Sequence, residues 1–120
     1  LPLDARTFTR TLWKMLLESM VAFPGGIGVV PWMVPGGPEI ADATAEAMRV
    51  YDACVWAHHG LFCAGSDFDT TFGLAHTIDK AAQARAMNGG SDRFPNAIPD
   101  EGLRGIAEAY HLPVNEAFLK

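Results

Sequence analysis

The chain has 120 residues, with 9 basic and 14 acidic side chains for a net charge of −5; 49% of its residues are hydrophobic and 19% charged. This length holds at most one ordinary domain, and the composition is that of a globular chain rather than a disordered one. The acidic balance and the lack of clustered Lys and Arg argue against a nucleic-acid partner, while leaving room for one phosphate held by backbone N–H groups.

Asp4 is placed to cap a first helix, in which Phe8, Leu12, Met15 and Leu16 recur at helical spacing. From Ser19 the pattern changes. Met20-Val21-Ala22-Phe23, Pro24-Gly25-Gly26 and Ile27-Gly28-Val29-Val30 read as strand, turn and strand. Pro35-Gly36-Gly37-Pro38 is turn chemistry, with Pro38 opening a second helix that runs to about Tyr51 on a stripe of Ile40, Thr44, Ala47, Met48 and Tyr51.

Ala53 to Ala57 reads as a buried strand, and Leu61 to Ala64 as a second one after the interruption His58-His59-Gly60. Ser66 or Asp67 caps a long helix to about Met87, with Phe68, Phe72, Ala75, Ile78 and Ala82 as its expected core stripe. Asn88-Gly89-Gly90 stops it, Ser91 to Ile98 is loop, and Pro99 opens a last helix carrying Leu103, Ile106, Ala107 and Tyr110. Helices covering a mixed or antiparallel sheet fit this order. The strands are few for a complete sheet, and Leu1-Pro2-Leu3 reads like an excerpt from a longer protein.

Cys54 and Cys63 lie in apolar runs without a Cys-x-x-Cys spacing, so two reduced, buried thiols and a cytoplasmic location are expected. Leu16 to Val21 is too short for a membrane span and is interrupted by Glu18, so no membrane partner is expected. Trp13, Trp32 and Trp56 are expected as core or interface anchors. The paired glycines match neither a P-loop nor a dinucleotide fingerprint and read as turns.

The candidate chemistry centres on His58-His59-Gly60. If the strand continues through it, successive side chains point to opposite faces, so at most one histidine is a metal ligand. His59 would share a face with Ala53, Val55 and Ala57, whose small side chains leave room, and Gly60 would permit close approach. A satisfied structural histidine is the alternative, and spacing does not separate the two. His76, three residues before Asp79, and His111, after the last helix, are weaker candidates. Glu18 sits among apolar residues at the end of the first helix. It reads either as a functional carboxylate or as a solvated partner of Arg10 or Lys14. A zinc enzyme ordinarily needs three protein ligands, and the chain carries no His-x-His or His-x-x-x-His pair.

Several runs together resemble the zinc-dependent class II aldolases, and among them the rhamnulose-1-phosphate aldolase family. They are Thr9 to Trp13, Glu18, Val21 to Pro24, Gly28 to Gly36 with its Pro31-Trp32-Met33-Val34-Pro35-Gly36 core, Trp56 to Phe62, and Asp69 to Leu74. The resemblance covers nearly the whole chain and implies the C-terminal portion, residues 1–120, of a single class II aldolase domain. It implies an α/β fold, a three-layer α/β/α architecture with a mostly antiparallel sheet, and assembly as a homotetramer. The implied activity is that of a lyase splitting the phosphorylated ketose L-rhamnulose 1-phosphate into dihydroxyacetone phosphate and L-lactaldehyde with Zn2+. In such a protein the third zinc histidine falls on His59, and Glu18 lies near the active site of a neighbouring subunit. The His-x-His pair, the proton-transferring glutamate and the phosphate-binding loops have no counterpart in these 120 residues. Two alternatives stay open: a sugar-phosphate epimerase or dehydratase of the same fold, which should lack the Pro-Trp-Met-Val-Pro-Gly run, and a truncated non-catalytic copy with exposed apolar edges.

Overall fold

The computed structural model describes residues 4–88 and 96–120, in the order α1 (Ala5–Trp13), α2 (Leu17–Ala22), β1 (Gly28–Val30), α3 (Pro38–Met48), β2 (Ala53–Trp56), β3 (Gly60–Cys63), α4 (Phe68–Met87), α5 (Asp100–Ala109) and α6 (Glu116–Leu119). None of these helices is long and apolar enough to cross a membrane.

The first helix begins as expected: Asp4 accepts a hydrogen bond from the Thr7 N–H at 2.8 Å. It buries Thr9, Leu12 and Trp13. The expected strand at Met20 to Phe23 is instead the end of α2, Met20 to Ala22, with Phe23 as its C-cap. Short apolar runs carry no decisive periodicity, and here Ser19, Met20 and Phe23 turn inward at helical spacing while Val21 stays exposed. Leu16, in extended backbone, separates α2 from α1. The chain then folds back along α1. The Trp13 indole N–H donates to the Phe23 carbonyl at 3.1 Å, and the Ile27 N–H donates to Thr9 Oγ1 at 2.9 Å.

That return places β1, which pairs parallel with β2 in the register Gly28↔Cys54 and Val30↔Trp56. β2 pairs antiparallel with β3 through Ala53↔Cys63 and Trp56↔Gly60. The sheet order is β1-β2-β3. The mostly antiparallel sheet expected from the resemblance is therefore not what these three strands make: one junction is of each kind. The helix α3 carries the chain from one end of β1 back to the start of β2, and such a crossover dictates a parallel pair.

Side chains alternate across this sheet. Val30, Cys54 and Trp56 join Ile40 and other α3 residues in one cluster, while Ala53, Val55 and Cys63 join α1, α2, α4 and α5 in a larger one. Gly28 permits the approach of the third helix: a Cβ there would meet the Tyr51 ring at 2.7 Å and both Ala47 and Cys54 at 3.3 Å.

Two expectations about the helices change. In α4 the buried residues are Leu74, Ile78, Ala81 and Arg85, so Ile78 alone of the expected stripe lies in the core; Phe68 and Phe72 are exposed. The short α6 was not expected. It is held by the Asn115 N–H on the Pro24 carbonyl at 3.0 Å and by Phe118, buried against Trp13, Tyr51 and Gly26. Asn88 caps the end of α4 as expected, while Gly89, Gly90 and the loop through Pro95 lie outside the described residues.

Candidate functional site

β2 ends at Trp56, and residues 57–59 form the turn into β3. The Ala57 N–H donates to the Val30 carbonyl at 3.0 Å, tying this turn to the end of β1. The His59 N–H donates to the Trp56 carbonyl at 3.0 Å and closes the turn. His58 sits at φ 60°, in the left-handed region. The strand argument for the two histidines therefore does not apply. They are turn residues, and the alternation that put His59 on the face of Ala53 and Val55 stops at Trp56.

Both imidazoles are exposed, and both line a cleft of about 350 Å³ with Gly60, Trp56, Asp79 and Ile78. The walls are mostly apolar. The His59 ring lies 5.2 Å from the Trp56 ring, tilted by 43°, and Phe62 stacks on the same indole at 5.2 Å. Trp56 is itself fixed, because its indole N–H donates to Thr44 Oγ1 on α3 at 3.0 Å. Gly60 faces open space, where a Cβ would meet nothing within 4 Å.

Asp79 enters this cleft because it follows the core residue Ile78 on α4. His76, three residues before Asp79, lies on the same side of α4 but does not line this cleft; its ring lies 6.1 Å from that of Phe72. His111 stands just past α5 at φ 51° and takes no part.

Glu18 is exposed in the first turn of α2 and is not among the residues lining the His59 cleft. Two residues of its helix, Val21 and Ala22, line a separate cleft of about 560 Å³ with Asp52, Ser66, Thr70 and Thr77. The three tryptophans divide: Trp13 is core, Trp56 half-buried and Trp32 largely exposed. Cys54 is buried and Cys63 half-buried, both free, and burial pushes both thiols up from their ordinary values.

Among the described residues no three His, Cys, Asp or Glu side chains come together in a group that could hold a metal ion. His59 can offer one neutral imidazole nitrogen at the mouth of a cleft, which fits a single contribution to a shared site.

Residues 4–86 match the model of the class II aldolase and adducin N-terminal domain. The chain belongs to this family. It is 45% identical over 120 residues to the rhamnulose-1-phosphate aldolase of Pectobacterium atrosepticum, covering 100% of this chain and 44% of that protein. The rhamnulose-1-phosphate aldolases of Listeria monocytogenes serotype 4a and Enterococcus faecalis are 42% and 40% identical, each over 98% of this chain. The chain spans less than half the length of these curated relatives and matches their C-terminal portion. A mixed sheet with helices on it is consistent with the α/β class expected for this family.

Proposed function

We propose that this chain is the C-terminal portion of a zinc-dependent lyase that cleaves L-rhamnulose 1-phosphate to dihydroxyacetone phosphate and L-lactaldehyde. The observation that carries the reading is 40–45% identity, over 98–100% of the chain, to proteins bearing the name of that aldolase. The exposed imidazole of His59 in its cleft supports it as one of three histidine ligands, the other two coming from outside these residues.

Retro-aldol cleavage breaks the bond between the third and fourth carbons of the ketose. The hydroxyl on the fourth carbon gives up its proton and becomes the aldehyde carbonyl; the electron pair passes to the third carbon, which then takes a proton. Zinc, when bound, supplies Lewis acidity toward the ketone and hydroxyl oxygens. His59 would hold the ion with a neutral nitrogen, and the Trp56 indole, fixed by Thr44, would limit the swing of that ring. Glu18, exposed on α2, would hold or move a proton at the site of a neighbouring subunit in a homotetramer. The full polypeptide would carry the sheet on toward the three-layer, mostly antiparallel architecture and act in the cytoplasm.

The test is zinc content and cleavage of rhamnulose 1-phosphate by the full-length polypeptide. One zinc per subunit is expected, with His59→Ala losing both metal and activity and His58→Ala keeping the metal. Zinc retained in His59→Ala would refute the ligand assignment. These residues supply one donor to a three-ligand site, so the isolated 12.9 kDa chain should be inactive.

A further inference from the structure

The α4 helix is apolar on two sides, and only one of them is covered. Leu74, Ile78 and Ala81 face the core, whereas Phe68 and Phe72 are 94% and 70% exposed. A helix packed from one side carries one apolar stripe; a second stripe belongs to a helix packed from two sides. The uncovered side forms a groove of about 540 Å³ lined by Phe68, Asp69, Phe72, Gly73, His76 and Thr77.

Gly73 adds an independent observation. A Cβ there would meet nothing within 4 Å, so no contact among the described residues requires a glycine. Glycine is the poorest residue for a helix interior after proline. Its small size is useful where another backbone comes close, as between helices packed ridge into groove. The third observation is length. The chain covers only 42–44% of the relatives it matches, so most of such a protein lies outside these residues.

We propose that this groove docks a helix from the part of the polypeptide outside these 120 residues. Its apolar side chains cover Phe68 and Phe72, its backbone passes nearest Gly73, and a cationic side chain meets Asp69. The proposal rests on the reading of the chain as one portion of a longer aldolase.

The test co-expresses the 120-residue chain with the part of the Pectobacterium atrosepticum relative that lies outside the match, and weighs the products by light scattering. A one-to-one complex is expected. Phe72→Asp and Gly73→Leu should each weaken it at least tenfold while the isolated chain keeps its circular dichroism, and Gly73→Leu, which replaces a poor helix former at an open position, should melt no lower than the parent. Gly73→Leu decides the matter if Phe72→Asp fails to fold. Three results would overturn the proposal: no complex with the unaltered chain, undiminished binding by Gly73→Leu, or a homodimer of the 120-residue chain that Phe72→Asp splits. Zinc and cleavage assays on the same complex keep the two readings apart. A complex without activity would count against the lyase and not the docking; an active complex indifferent to Gly73→Leu would do the reverse.

Discussion

The Trp56 indole N–H donates to Thr44 Oγ1 at 3.0 Å, and the same indole is the wall against which the His59 ring lies. A hydroxyl on α3 therefore sets the position of a histidine in the β2–β3 turn. Thr44 is buried, and its own hydroxyl donates to the Ile40 carbonyl at 2.7 Å.

Thr44→Val keeps the shape of this side chain and removes the acceptor. The indole N–H, half-buried, then lacks its partner, which costs about 1–3 kcal/mol. Urea denaturation of the isolated chain should show a loss in that range. In the full-length protein, zinc affinity should fall while zinc stoichiometry is kept. An unchanged denaturation midpoint would mean that water replaces the hydroxyl.

Gly28→Ala tests the approach of α3 to the sheet. The new methyl would stand 2.7 Å from the Tyr51 ring, between Ala47 and Cys54. Overpacking of this kind costs roughly 1–3 kcal/mol. Thermal unfolding should shift down, and Tyr51→Ala in the same chain should recover part of the shift. Additive losses in the double variant would place the strain elsewhere.

Acid should loosen the fastening of α5 to α1. Asp100 pairs with Lys14 at 2.8 Å and Arg10 at 2.5 Å. The hydrogen bond from Lys14, helped by the charges of Lys14 and Arg10, holds its carboxyl below the usual carboxylate value. A depressed carboxylate contributes stability that is fully present above its unfolded value, about 3.9, and is lost as pH falls through the lower folded value. Asp100→Asn should lower stability at neutral pH and flatten its fall below about pH 4 relative to the parent chain. Because Asp100 is more than half exposed, salt should shrink the difference. Identical acid profiles would remove the pair from the account.

Burial raises the thiols of Cys54 and Cys63, so both should resist alkylation in the folded chain. At pH 8, iodoacetamide should modify neither at an appreciable rate until urea is added, with Cys54 slower than Cys63. Rapid labelling of Cys54 in the native chain would show that the β2–β3 hairpin opens locally.

Much of this was legible from local chemistry. Asp4 was expected as one cap and accepts from Thr7; of the two expected for α4, Ser66 or Asp67, it is Asp67 that accepts from Thr70. Pro38 opens α3, and Ile40 and Thr44 lie in its buried face. The motif runs pointed to the class II aldolases, to which the chain belongs. Caps and turns act within a few residues, so the sequence by itself determined them, as it determined the family.

The tertiary structure decided the rest. It made Met20 to Ala22 helical, with Phe23 as the cap, because Ser19, Met20 and Phe23 bury together at that spacing. It put His58 and His59 in a turn, because the His59 N–H closes back on the Trp56 carbonyl and His58 takes a positive φ, which ends the strand at Trp56. It also chose which of two apolar stripes of α4 faces the core. Periodicity names the apolar positions of a helix, but which of them are covered depends on what packs there, and that is a contact between segments distant in the chain.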